Sequence, residues 1–194
     1  VIDTKGLNKF SLDLVAKQLG VKTPSLYYHF GNKSELLSEV ALKILRDINQ
    51  PRIATDRWEE TIIELCVETR RTILRHPNAA PLLLEYFPRH IFARAYDFWA
   101  GQCPYPEKYH LVVLDGLERI TYGNSLFAAA AISHDIAMMP DYDAKAYPQL
   151  AKAVKANPYD EEGIFIKTQR SGDSLAATKM DDYRADDSFD WQAH

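Results

Sequence analysis

A tight turn at residues 20–22, Gly-Val-Lys, separates two short helical patterns near the start of the chain. Upstream of the turn, apolar residues recur at the spacing of one helix face and predict a helix over residues 11–19. Downstream, Thr23 can cap free amides and Pro24 suits a first helical position, which predicts a second helix over residues 24–30. Two short helices joined in this way predict a helix-turn-helix, in which the second helix enters the major groove of DNA.

The rest of the chain also divides into helical patterns. Asn32 and Glu35 resemble a capping box that opens a third helix, whose apolar side extends to Ile48. Turn residues separate the following helical patterns: 56–75, 82–86, 89–102, 107–134, 147–154 and 160–178. No segment has a convincing strand pattern, so the sequence predicts an all-α fold.

Gln50-Pro51 is the predicted domain boundary, because it ends the third helix. It separates a helix-turn-helix domain over residues 1–50 from a helical domain over residues 51–178. Residues 179–194 include five aspartates and are predicted to form a frayed acidic tail.

Charge and cysteine content narrow the class of protein. The net charge is −4, but residues 1–50 hold seven Lys and Arg against five Asp and Glu. Only this first part could carry the basic footprint of a nucleic-acid binder, although so small an excess is also typical of an ordinary solvated surface. Two cysteines are too few for a disulfide scaffold, and no apolar run is long enough to cross a bilayer. These features predict a cytoplasmic protein with no membrane partner.

The second helix of the unit carries side chains suited to DNA. Thr23 and Ser25 are small hydrogen-bonding residues, and Pro24 can contact a thymine methyl group. The run 27–29, Tyr-Tyr-His, can reach phosphates, as can Lys33 at the start of the next helix. The alternative is a corner of the core in which the tyrosines simply pack.

Residues 10–37 resemble the DNA-binding signature of TetR-family transcriptional regulators. The resemblance covers residues 6–45 and is carried by Ala16…Leu19-Gly20-Val21, Leu26-Tyr27-Tyr28-His29-Phe30 and Asn32-Lys33…Leu36-Leu37. It implies that eight residues face DNA, those at 23–25 and 28 nearest the bases: Ser11, Thr23, Pro24, Ser25, Tyr27, Tyr28, His29 and Lys33.

Three features depart from the family pattern. Asp13 stands where a basic or neutral residue is commoner, and is expected either to point away from DNA or to contact a cytosine amino group. Only residues 1–5 remain of the family's long first helix, so further residues are expected before Val1. Leu83 falls where members that bind a metal–drug chelate have a histidine, and neither a metal nor a cofactor is predicted.

The resemblance also implies that residues 51–178 bind an effector and form a homodimer. Family homodimers pack two C-terminal helices of each subunit into a four-helix bundle, and the candidates here are 107–134 and 160–178. Gly123, Ser125 and the alanines at 128–131 would permit close helix approach. The alternative is that this small-residue run packs within one subunit.

Aromatic residues concentrate in the middle of the chain, where they could line a mostly apolar effector pocket. The candidate ligand-binding residues are Phe92, Tyr96, Trp99, Glu118, Tyr122 and Phe127. Further polar anchors could be Arg119, Asn124 and His134. The alternative is that most of these aromatic residues belong to the core.

Together these features predict a repressor, not an enzyme, that a small and largely apolar effector releases from double-stranded operator DNA. One alternative is an activator of the same fold, or a regulator that responds to a protein or to oxidation, for which Cys103 is the candidate thiol. Another is a small helical enzyme that uses Glu118 and His134 as acid and base.

Overall fold

The computed structural model describes residues 1–51, 57–137 and 141–178, with the side chains of 89–92 and 171–178 left out. Every regular element in these ranges is a helix, which confirms the all-α prediction. The α-helices are α1 (Ile2–Lys5), α2 (Leu12–Leu19), α3 (Thr23–Tyr27), α4 (Lys33–Arg46), α5 (Trp58–Leu74), α6 (Leu82–Glu85), α7 (Arg89–Gln102), α8 (His110–His134), α9 (Pro148–Ala156) and α10 (Glu161–Thr178). The predicted acidic tail, 179–194, lies outside the described residues.

Side-chain caps determine where two of the N-terminal helices begin. Ser11 Oγ accepts a hydrogen bond from the Leu14 amide at 3.2 Å, and Asn32 Oδ1 accepts one from the Glu35 amide at 2.9 Å. Glu35 reaches back to the Gly31 amide at 2.7 Å, one residue before the position that a standard capping box uses. The predicted cap at Asn32 is therefore confirmed.

Thr23 does not cap α3, contrary to the prediction. The N-cap is Lys22, and Thr23 is the first residue of the helix. The helix then ends at Tyr27, three residues earlier than predicted. After Tyr27 the chain turns away from the helix through short-range backbone hydrogen bonds. The amides of His29 and Phe30 both donate to the Leu26 carbonyl at 3.0 Å.

One hydrophobic cluster joins the N-terminal helices to the remainder of the chain. Its buried residues are Ile2, Phe10, Leu37, Ala41, Ile44, Ile73, Ala79, Ala80, Leu82, Leu83 and Ala129. Leu83, which departs from the metal-chelate pattern, is part of this core. The cluster crosses the boundary predicted at Pro51, so the two predicted domains are in direct apolar contact.

A second cluster packs α5, α8 and α10 together. Its buried residues are Trp58, Ile62, Ile63, Cys66, Val67, Val113, Leu114, Leu117 and Phe165. Polar contacts attach α10 beside it: Gln169 Nε2 donates to Thr121 Oγ1 at 2.7 Å, and Arg71 pairs with Glu162 at 2.6 Å. The hydrogen bond from Arg71 holds the pKa of the Glu162 carboxyl below its usual range. α10 is therefore fixed along α5 and α8 by both apolar and charged contacts.

None of the helices in the described ranges combines the length and apolar content needed to cross a membrane.

Candidate functional site

The turn between α2 and α3 depends on a glycine. Gly20 has φ 69°, in the left-handed region where residues with a Cβ are strained. A hydrogen bond from the Val21 amide to the Ala16 carbonyl, at 3.0 Å, closes this turn. Ala16 in α2 and Leu26 in α3 are both buried. The predicted helix-turn-helix geometry is present.

The outer surface of this unit exposes most of the predicted DNA-facing side chains. Tyr28 is 89% exposed and Tyr27 54% exposed, and the Tyr28 and His29 rings meet edge to face at 5.5 Å. Pro24, Ser25 and Lys33 are exposed as well. A row of exposed aromatic and polar side chains on a short helix leaves no core role for these tyrosines.

Two of the predicted residues make contacts within the unit. Ser11 is half-buried, and its Oγ accepts from a backbone amide as the N-cap of α2. Lys33 Nζ lies 3.5 Å from the Phe10 carbonyl oxygen and 5.3 Å from the centre of the Phe10 ring. Both residues therefore help to position the unit, and their predicted contacts to phosphate stay predictions.

Asp13 has a partner that the sequence did not reveal. Its Oδ1 accepts a hydrogen bond from Thr23 Oγ1 at 2.6 Å, which joins the first turn of α2 to the first residue of α3. The Thr23 hydroxyl proton is thereby engaged, so this oxygen is left to act as an acceptor. The sequence gives one indication of this contact: Asp13 and Thr23 each occur in the first turn of one of two consecutive short helices.

A cavity of about 230 Å³ lies between the end of α4, α5, α7 and α8. Most of its wall is apolar or aromatic, and Phe87 meets Tyr122 edge to face at 5.3 Å. The described lining residues are Leu45, Ile48, Gln50, Ile62, Leu65, Cys66, Thr69, Phe87, Ala95, Tyr96, Trp99, Leu114, Leu117, Glu118, Thr121 and Tyr122.

Four of the predicted ligand-binding residues line this cavity: Tyr96, Trp99, Glu118 and Tyr122. The prediction for Phe127 is wrong, since its side chain is 74% exposed on the outside of α8. Phe127 follows Glu118 by about two and a half helical turns, which places it on the opposite face. The side chain of Phe92 lies outside the described residues.

The other predicted polar anchors point elsewhere. Arg119 is exposed and pairs with Asp115 at 2.6 Å, and Asn124 accepts a hydrogen bond from Arg70 Nε at 2.8 Å. His134 is exposed at the end of α8, about 24 Å along the helix axis from Glu118. The acid–base pair of the alternative enzyme is therefore not brought together.

Glu118 makes a polar contact with a second residue of the cavity wall, Tyr96. Its Oε2 accepts a hydrogen bond from Tyr96 Oη at 2.6 Å. Burial, this hydrogen bond and the charge of Glu118 together raise the pKa of Tyr96. Burial and the same charge raise the pKa of Tyr122. Both phenols are therefore held in the protonated form beside the Glu118 carboxyl group.

Sequence reasoning missed the wall that α4 contributes. Leu45 is in the last turn of α4, and Ile48 and Gln50 follow it toward the boundary at Pro51. The apolar spacing of Leu45 and Ile48 assigns them to the inner side of the helix, but it does not say which neighbour they contact. Within the described part of the chain, no three His, Cys, Asp or Glu side chains are grouped so that they could hold a metal ion.

The outer face of α8 is a separate surface. Phe127 and Val112 are exposed apolar residues there, and Gly116, Gly123 and Ala130 share their side of the helix by the helical period. In contrast, Ser125, Ala128 and Ala129 are buried against the chain's own core. The small-residue run therefore divides between internal packing and an exposed face.

Comparisons with known proteins agree with this geometry. Residues 1–40 match the family described as bacterial regulatory proteins, tetR family. Tetracycline repressor protein class D of Escherichia coli is 26% identical over 137 residues, which cover 69% of this chain and 57% of that repressor. The chain spans between 35% and 57% of the length of the curated relatives that it matches.

Solved structures share the fold over most of the chain. A "possible TetR family transcriptional regulator" from Streptomyces coelicolor A3(2) superposes with a TM-score of 0.75 at 21% identity, covering 91% of this chain and 93% of that one. BioQ, solved with its natural double-stranded DNA operator, has a TM-score of 0.54 at 26% identity, covering 66% of this chain and 81% of that one.

Proposed function

We propose that this chain, which belongs to the tetR family of bacterial regulatory proteins, is a transcriptional repressor that a small, largely apolar effector releases from operator DNA. The observation that carries the proposal is the α2–α3 unit, in which Ala16 and Leu26 are buried while Tyr27, the last residue of α3, and Tyr28, which follows it, are exposed. The similarity to BioQ, solved on a double-stranded operator, supports DNA as the partner. The mechanism needs no catalytic step, and a regulator of this kind acts in the cytoplasm, where operator DNA is found.

In this proposal α3 enters the major groove. Pro24, Ser25 and Tyr28 contact base edges, with Thr23 as a hydrogen-bond acceptor. The surrounding side chains, Ser11, Tyr27, His29 and Lys33, contact phosphates and fix the register of the helix.

The cavity is placed so that its occupant can affect the DNA-binding unit. Leu45 and Ile48 form part of its wall, and the same helix α4 begins at Lys33 beside the recognition unit. An effector that fits better when the end of α4 is displaced would shift the protein toward that arrangement. Only this difference in affinity between the two arrangements can lower DNA affinity.

A homodimer is part of the same proposal. Two half-sites one DNA turn apart require two recognition helices related by a two-fold axis. The exposed face of α8, with Phe127 and Val112 beside glycine and alanine positions, is the proposed contact between subunits.

The test is binding of the full chain to the DNA upstream of its own gene, measured by fluorescence anisotropy across a salt series. We expect binding that is tighter than to random DNA of the same length and that weakens steeply with salt, because phosphate contacts release counterions. Equal affinity for the two DNAs at every salt concentration would contradict the proposal.

Asp13 allows a sharper test of α3 orientation. Asp13→Asn removes a negative charge but keeps an oxygen that can accept from Thr23, whereas Asp13→Ala removes both. We expect both variants to bind random DNA a few-fold more tightly, since a repulsive charge is lost. Only Asp13→Ala should lower the preference for operator over random DNA, by about threefold to tenfold, the worth of one hydrogen bond.

The ratio of the two anisotropy affinities is the quantity to compare. If Asp13→Ala and Asp13→Asn keep the same operator preference, then the contact to Thr23 has no role in DNA recognition.

A further inference from the structure

The hydroxyl group of Thr23 has a fixed direction in the structure. Its Oγ1 donates to Asp13 Oδ1 at 2.6 Å, and an ionised carboxylate can only accept hydrogen bonds, so the hydroxyl hydrogen is directed at Asp13. A hydroxyl group has one hydrogen and two lone pairs. The lone pairs of Thr23 Oγ1 are therefore what this side chain presents to a molecule outside the unit.

Both residues lie where the proposed function brings the unit into contact with DNA. Thr23 is the first residue of α3 and is half-buried, while Asp13 is exposed in the first turn of α2. In a helix-turn-helix, the N-terminal residues of the second helix contact base edges. The side chains of the Asp13–Thr23 pair therefore offer acceptors, and no free donor, at that end of the helix.

The major-groove edges of the four bases differ in what they offer to an acceptor. Thymine O4 and guanine O6 and N7 are acceptors themselves, so their lone pairs would face those of Thr23. Cytosine N4 and adenine N6 each carry a hydrogen in this groove. Adenine also has the acceptor N7 beside its amino group, where the charge of Asp13 would repel it, whereas cytosine has a C–H group there. Cytosine is therefore the base that fits the pair best.

We propose that Thr23 reads a cytosine of the operator by accepting a hydrogen bond from its N4 amino group, and that Asp13 is the positioning residue that holds the Thr23 hydroxyl in the accepting orientation. The contact to the amino group is thus made by Thr23 and not by Asp13 itself. The inference rests on the proposed function in one respect, namely that α3 enters the major groove.

Selection from a library of random DNA duplexes, followed by sequencing of the bound fraction, identifies the base that Thr23 contacts. The full chain is compared with its Thr23→Val variant, because valine has nearly the shape of threonine and lacks the hydroxyl group. We expect one position of the selected sequence to lose its base preference in this variant, and we expect that position to be cytosine in the wild-type selection. Thr23→Ser keeps a hydroxyl group and is expected to keep the cytosine.

Fluorescence anisotropy on duplexes with a changed base at this position measures the contribution of the amino group. N4-methylcytosine still pairs with guanine but has a methyl group in place of the free amino hydrogen, and a thymine–adenine pair replaces the amino group by a carbonyl. We expect each change to lower the wild-type affinity by about tenfold, within the usual cost of one mismatched base pair. This comparison needs no change to the protein.

Two substitutions of Asp13 test its role as a positioning residue. In Asp13→Ala the Thr23 hydroxyl can rotate and donate to thymine O4, so we expect the preference for cytosine over thymine to fall below about threefold. In Asp13→Asn the amide oxygen can still accept from Thr23, so this preference should stay near tenfold. A purely structural loss would weaken binding to both duplexes equally and leave the preference unchanged.

Glu39→Ala is the matched control for the loss of a carboxylate. Glu39 is exposed on α4, with its carboxylate 4.0 Å from the Arg46 guanidinium and not in contact with Thr23. Its removal should change the affinity for every duplex by a similar factor and leave the preference for cytosine within about twofold of wild type.

Four results would overturn the inference. They are adenine, guanine or thymine at the position that responds to Thr23→Val, no position that responds, an unchanged preference for cytosine in Asp13→Ala, and equal wild-type affinity for cytosine and N4-methylcytosine. Circular dichroism checks that each variant is folded, and the last result is obtained on the wild-type chain alone.

The selection also separates this inference from the proposed function. Both stand if a defined sequence is enriched and its cytosine depends on Thr23 and Asp13. If a defined sequence is enriched but the variants select the same bases as the wild type, DNA recognition stands and the inference fails. If no sequence is enriched over the starting library, the proposed function fails and the inference fails with it.

Discussion

Replacing Tyr28 by alanine is expected to weaken operator binding by about tenfold to a hundredfold and to leave the fold intact. The side chain is 89% exposed, so truncating it removes almost no internal packing. On DNA, the same truncation would remove an aromatic contact and a hydroxyl group from the end of α3, where the groove is closest. We therefore expect Tyr28→Ala to lower the affinity for operator DNA and to leave the free energy of unfolding nearly unchanged.

Fluorescence anisotropy on operator and on random DNA, across a salt series, measures this effect. Tyr28→Phe separates the roles of the ring and the hydroxyl: loss on both DNAs indicates a phosphate contact, and loss on the operator alone indicates a base contact. Tyr147→Ala is the matched control, because Tyr147 is also exposed, at 59%, but precedes α9 in the other half of the chain. Wild-type affinity in Tyr28→Ala would show that α3 is not the recognition helix.

Replacing Phe127 by glutamate is expected to separate the proposed dimer, with a dissociation constant raised by about a hundredfold or more. Phe127 is 74% exposed in the single chain, and the small residues on its side of α8 would let a second helix approach closely. A carboxylate at this position would be buried in the contact without a partner, which is costly. Operator affinity should fall as well, because one subunit occupies only one half-site.

Sedimentation velocity over a range of protein concentrations measures the dimer, and circular dichroism checks that the separated subunits remain helical. Leu84→Glu is the matched control, since Leu84 is an equally exposed apolar residue, at 70%, on the short helix α6. A Phe127→Glu protein that sediments like wild type would assign the subunit contact to another surface.

The helix-turn-helix could be predicted in detail because the interactions that form it are local. The Asn32 cap acts within one turn, and Gly20 supplies a positive φ at the turn itself, so both are evident in a short stretch of sequence. The contact between Asp13 and Thr23 was missed because it depends on the angle between two helices. That angle depends on how the two helices pack, and no pattern of spacing specifies it.

In the second half of the chain, periodicity was sufficient to predict helices but not to say what each face contacts. Glu118 and Phe127 were both candidates for the effector pocket. The helical period places them on opposite sides of α8, but it does not show which side faces the cavity. Ser125, Ala128 and Ala129 looked available for a partner, yet they pack inside the chain.

Local composition and spacing thus determine the all-α class, the positions of the helices and the residues of the recognition unit, because caps, turns and periodicity act within a few residues. The cavity and the part that α4 plays in it were decided only when helices far apart in the chain packed together. Such contacts depend on the complementary shapes of several helices at once, and this information is not contained in any one segment.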